Sequence, residues 1–180
     1  MTNYIKNTPM HTDSNFNWDS SAFFERLTAS NRFARDGGYV FVRVSSLEGF
    51  HGALGEMHST QAFVAVSDTS DGRLDLENTP HTRRVKTVFL ARRHALDDME
   101  ARSVAMDNMR ELFRQFMSVL ILENTRLEEN NVFLDPRISF REIDRYFFTG
   151  CACAFFQIAV DTYTDFTYNP EEWIDPQPMP

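Results

Sequence analysis

The sequence predicts an α+β protein, a mostly antiparallel sheet of about five strands packed with one long and one short helix. Three observations carry that reading. Apolar residues recur at spacings of three and four from Ala101 to Leu120, the periodicity of an amphipathic helix. Runs such as Tyr39–Val44 and Arg84–Ala91 are rich in β-branched and aromatic residues, as strands are. A chain of 180 residues, 42% hydrophobic and 24% charged, has the composition of one ordinary globular core.

Residues 1–18 are polar and aperiodic and read as a flexible arm, residues 19–163 as a single α+β domain, and 164–180 as an extended acidic tail. Pro170, Pro176, Pro178 and Pro180 bar regular structure from that tail. Asp19 or Ser20 can cap a short helix carrying Phe23, Phe24 and Leu27, and Asp36-Gly37-Gly38 stops it. Tyr39–Val44 is the first strand. A link punctuated by Gly49, Gly52 and Gly55 leads to the second, over Gln61–Val66. Ser67 to Arg83 is a long polar connection in which Asp71-Gly72 suits a tight turn, and the alternation of Leu74 and Leu76 around Asp75 leaves a projecting hairpin open. Arg84–Ala91 is the third strand.

The long helix follows, from Asp97 to about Asn124. Asp97 and Glu100 fit a capping box, and Asp98 adds negative charge where the helix dipole favours it. Ala101, Ala105, Met109, Leu112, Phe113, Phe116 and Leu120 form its apolar stripe, with Glu100, Asp107, Glu111, Arg114 and Ser118 opposite. The stripe breaks down at Val119-Leu120-Ile121-Leu122, which is apolar all round, so this end should be covered on several sides by the same chain or a neighbour. Ile138–Phe148 starts with a turn and becomes a strand. Gly150–Thr162 is the last strand, with Ala152, Ala154, Phe156, Ile158 and Val160 on one face.

Signatures of catalysis are weak. There is no Gly-Lys-Ser/Thr phosphate loop and no Gly-x-Ser-x-Gly nucleophile elbow, so no enzyme is expected. His51, Glu56, His58 and the more distant His81 are possible metal ligands by type, but their spacing matches no paired-ligand pattern, and no metal or cofactor is expected. Asp68, Asp71 and Asp75 fall out of register for a calcium loop. Cys151 and Cys153 would share one face of a strand as small buried hydrophobes, with a spacing unsuited to a disulfide. With no signal-like or membrane-length apolar run, a reducing cytoplasm is the expected setting.

The net charge of −8 argues against a surface that grips nucleic-acid phosphates. Its distribution is uneven. Arg83, Arg84, Lys86, Arg92, Arg93 and His94 bracket the third strand, whereas no Lys or Arg follows Arg145 in a stretch holding Asp161, Asp165, Glu171, Glu172 and Asp175. That polarity suggests a head-to-tail contact between a basic flank and the acidic flank of the next subunit.

The order helix, three strands, long helix, two strands, over roughly Asp19 to Thr162, resembles that of bacteriophage tail-terminator and tail-completion (neck) proteins. The likeness is carried by Arg84-Val-Lys-Thr-Val-Phe-Leu-Ala91, Leu96-Asp-Asp-Met-Glu-Ala-Arg102 and Met109-Arg-Glu-Leu-Phe113. Both tails and the Ser67–Arg83 connection are longer than the minimal family pattern. The resemblance implies a virion component assembled in the host bacterial cytoplasm: a ring of copies, usually hexameric, that caps the tail tube and joins it to the head-side connector. DNA would pass through an acidic lumen without sticking, and no membrane is involved. The residues expected to serve assembly are Arg92 and Arg93 toward the next subunit, Asp71, Gly72 and Arg73 at a docking-loop tip, Ile121 and Leu122 at the apolar helix end, and Trp173 as a tail anchor. The rival expectations are a small metal- or ligand-binding enzyme domain using His51, His58 and His81, and a monomeric adaptor whose acidic tail binds a basic protein.

Overall fold

The computed structural model of the chain describes residues 18–69, 71–76, 80–143 and 150–174. The expected arm at 1–17, the strand continuation over 144–148 and the end of the tail at 175–180 lie outside the described residues.

Asp19 caps α1 (Ser20–Ser30) by accepting the Ala22 N–H at 3.0 Å. Asn31 ends α1 and caps α2 (Arg32–Asp36) through its side-chain oxygen, 2.7 Å from the Ala34 N–H. The helical hairpin exits through Gly38 at φ +69°, a left-handed conformation that glycine adopts without strain. Then comes β1 (Tyr39–Val44), matching its predicted range.

The glycine-punctuated link is in fact a helix, α3 (Leu47–Glu56), capped by Ser46. It joins β1 to β2 (Ala62–Ser67), which runs parallel to β1 in the register Tyr39↔Ala62 to Val44↔Ser67. Parallel neighbours need a crossover of a dozen or more residues, usually helical, and α3 supplies it.

β3 (Asp71–Asp75) and β4 (His81–Arg93) form an antiparallel hairpin. Asp71 and Gly72 therefore do not make the tight turn. They pair with Val85 and Arg84 within the ladder, and the chain reverses at the other end of the hairpin, between Leu76 and Pro80. After β4 come the thirty-residue α4 (Met99–Glu128), β5 (Val132–Leu134), β6 (Phe140–Ile143), β7 (Cys151–Tyr163) and a single 3₁₀ turn at Pro170–Glu172.

The strands make one mixed sheet, seven-stranded where about five were expected, in the order β1-β2-β4-β7-β5. β3 continues the β2 edge of β4, and β6 continues the β5 edge of β7. The additional strands β3 and β5 are short, and among the described residues only β1–β2 is parallel. The antiparallel pair β4–β7, thirteen residues each, is the spine.

Side-chain alternation sends two sets of residues to opposite faces. On one face, α1 and α4 cover Val64, Val66, Val88, Leu90, Phe156 and Ile158, with Phe24 and Phe116 wedged between helices and sheet. On the other face, α3 sets Phe50 and Leu54 against Phe63, Phe89, Ala91, Cys151 and Cys153, and the Phe50 and Phe89 rings stack at 5.1 Å. Both cysteines are buried on one strand face, as expected, and burial pushes both thiols above the ordinary range.

Candidate functional site

The long helix sets the geometry of the most unusual surface. Its cap is Asp98, which accepts the Ala101 N–H at 2.8 Å; Asp97, the expected cap, lies one residue outside. Met109, Leu112, Phe116, Leu120 and Leu127 are buried, and Phe113 packs beside them. The helix continues one turn past the expected end, to Glu128.

At 100° per residue, Phe116 and Leu120 point to the sheet, and an outward arc about 100° wide holds Arg114, Ser118, Ile121, Leu122, Thr125 and Glu129. The four-residue apolar run is thus split. Leu120 is buried, but Ile121 is 71% and Leu122 73% exposed, on the side diametrically opposite the core. No described part of the chain covers them. Glu111, also on the outer side, grips Arg114 in a bidentate pair (2.6 and 2.8 Å), which holds the Glu111 carboxyl down at about 2.

Other expected interface residues are engaged within the chain. Arg92 donates to the Gly37 carbonyl at 2.9 Å and lies over the Tyr39 ring. Arg93 donates to the carbonyls of Leu54, in the last turn of α3, and of Met57 and Thr60 just beyond it. The hydrogen-bond partners described for both guanidinium groups therefore come from the same chain. The charge polarity is also partly internal, because the basic third strand and acidic last strand are adjacent in the sheet. Arg83 sits opposite Asp161 in register, bonds it at 2.8 Å and reaches Asp135 with its other arm. The Asp135 carboxyl is held below the usual carboxylate range, first by the Arg137 N–H and then by Arg83. Lys86 donates to the carbonyls of Asp68 and Thr69.

Asp71, Gly72 and Arg73 are exposed along β3, not at a loop tip. Trp173 is 58% exposed and lies 6.0 Å from the Tyr168 ring, so its described ring contact is with the tail and not with the core. His51 is on α3, His58 just after it, and His81 opens β4. Arg93, whose guanidinium holds the end of α3, is at the opposite end of that strand, about 40 Å away at 3.3 Å per residue, so His81 cannot join the other two. Among the described residues no group of three His, Cys, Asp or Glu is placed to hold a metal ion. None of the described helices is long and apolar enough to cross a membrane.

A recess of about 390 Å³, which no sequence motif signals, opens beside the start of α1 between Asp19, Arg43, Asp68, Arg84 and Lys86. Its charges are mixed: Asp19 caps α1 and Lys86 holds two carbonyls. A comparison with known proteins returns no match to a family model and none to a curated protein sequence. The class that fold and surface define is an α+β protein with an apolar outward pole on its long helix.

Proposed function

We propose that the chain is a structural component of a phage or phage-like particle, a tail-terminator or tail-completion protein that forms a ring at the head-proximal end of the tail tube. The carrying observation is the long capped α4 lying along one face of a largely antiparallel sheet, after a short helix and three longer strands and before the last long strand. The resemblance expects helix, three strands, long helix and two strands; α1, β1, β2, β4, α4, β6 and β7 follow that order, with α2, α3, β3 and β5 as elaborations on it. The exposed apolar pole and the net charge of −8 support it as well, since the first suits assembly and the second suits a lumen past which DNA slides.

Function on this reading is geometric. Sheet and helix form the wall of the ring. The exposed strand β3, with Arg73 and Leu74, is the element offered to tube or connector, and Trp173 with Tyr168 forms an aromatic anchor in the tail. Arg92 and Arg93 hold Gly37 and the segment after α3 in place within the wall.

Co-sedimentation tests the proposal. The purified chain, mixed with the tube protein encoded in its own genome, should pellet with assembled tubes at a few copies per tube. Loss of binding when Arg73 and Leu74 are both replaced by Ala would place the contact on β3. A chain that binds neither tube nor connector protein would refute the proposal.

A further inference from the structure

We propose that α4 pairs with α4 of a second copy of this chain, antiparallel, about a two-fold axis passing between Ile121 and Leu122. The inference rests on the outward arc of the helix and does not depend on the tail-terminator reading.

In an antiparallel crossing about that point, residues equidistant from the axis face each other. Ile121 then meets Leu122 of the second copy, and the two most exposed apolar side chains of α4 cover one another. Ser118 meets Thr125, a pair small enough to let the helices approach. Arg114 meets Glu129 at both ends of the contact. The arc is therefore complementary to itself in size and in charge, which an isologous contact requires.

The polar groups of the arc tolerate the arrangement. The Ser118 hydroxyl donates to the Gln115 carbonyl at 2.7 Å, so covering it strands no donor. Arg114 holds Glu111 with two of its N–H groups, and the guanidinium has five, so Glu129 of the second copy can be taken on the remaining side. The alternative orientation fails on charge. In a parallel pairing Arg114 would face Arg114 and Glu129 would face Glu129. A polar or charged partner protein would leave Ile121 and Leu122 uncovered.

The flanks leave the arc clear. Asn31 ties α4 to the α1–α2 hairpin on one side through Gln115 (2.8 Å), and Arg110 ties it to β6 on the other through Glu142 (2.7 and 2.9 Å). Both ties lie below the outward pole. Two apolar residues per copy make a small contact, so the pairing is concentration-dependent. It closes on itself, unlike the head-to-tail contacts of a ring, and would join two subunits or two rings face to face.

Charge exchange in the full-length chain tests the proposal, with sedimentation velocity as the readout from low micromolar to several hundred micromolar. R114E and E129R place like charges at both ends of each homodimer, and each should weaken self-association at least tenfold. An equimolar mixture of the two restores an opposite-charge pair at both ends and should recover association to within about threefold of the unmodified chain. A second variant protects against misfolding of either swap. Ser118→Cys with Thr125→Cys puts two thiols about 10 Å apart along one helix, too far to bridge within a chain, and mild oxidation should give a covalent dimer. An unmodified chain that stays at one-chain mass throughout, a mixture no tighter than its components, or the absence of a cross-linked dimer would overturn the pairing. Tube binding by both swapped chains would leave the tail-terminator reading standing even where those results overturn the pairing.

Discussion

Phe156 is the side chain on which α1, α4 and the sheet converge, and its truncation gives the sharpest stability prediction. The ring is 1% exposed, 5.8 Å from Phe24 of α1 and 5.1 Å from Phe113 of α4, with Val88 and Phe140 beside it in the sheet. Truncating a buried Phe to Ala costs about 3–5 kcal/mol through lost burial and the cavity left behind. Two edge-to-face ring contacts, each contributing ~0.5–1.5 kcal/mol beyond area, put Phe156→Ala in the upper half of that range. For a domain of this size about 4–5 kcal/mol corresponds to a fall in Tm of roughly 10–20 °C. Urea titration followed by tryptophan fluorescence is a suitable assay. Trp18 is half-buried and packs 5.4 Å from Phe23, so it reports loss of the core, whereas the more exposed Trp173 adds a nearly constant background. Phe133→Ala is the control: that ring is 52% exposed and should cost about 1 kcal/mol or less. Equal costs for the two substitutions would mean that α4 does not pack on the sheet as described.

Removing the Arg93 guanidinium (Arg93→Ala) should cost about 1–3 kcal/mol and speed amide exchange throughout α3, because the Leu54 and Thr60 carbonyls lose a donor and Met57 keeps only the Thr60 N–H. If α3 exchange is unchanged, those bonds do not hold the helix. Asp98→Ala should cost about 0.5–2 kcal/mol and Asp97→Ala close to nothing, by thermal denaturation, since Asp98 alone is the cap; the reverse order would move the helix start. Acid should destabilise the chain. The carboxyls of Glu111, Glu142 and Asp135 are depressed by Arg114, by Arg110, and by the Arg137 N–H with Arg83 respectively, so the unfolded state binds protons first. Their contribution is complete above the ordinary carboxylate value of about 4.5 and fades as pH falls toward about 2. A urea midpoint that rises on acidification through that window would contradict the assigned pairs.

The main elements were legible because their signals are local. Tyr39–Val44, α1 with its Asp19 cap and the core stripe of α4 follow from periodicity and capping residues a few positions apart. α3 was masked by composition. Three glycines in ten residues outweighed Phe50, Ala53 and Leu54, whose spacing of three and four is helical and which pack on the second sheet face. The consecutive Asp97 and Asp98 left the start of α4 uncertain by one residue, and the Glu100 spacing favoured the wrong one. The roles of Arg83, Arg92 and Arg93 could not be read locally, because each depends on which strand or helix end lies beside β4 in the folded sheet. What looked like a basic flank awaiting a partner is largely paired at home. Ile121 and Leu122 went the other way. The apolar run foretold cover, and the fold places both side chains on the outside, where no described residue covers them.

Electron microscopy of tail tubes grown with and without the chain is the most direct test of the proposed function. Tube protein polymerised in its presence should give tubes with a ring of added density at one end, where growth stops. Tubes whose ends stay bare and whose lengths are unaffected by the chain would contradict it.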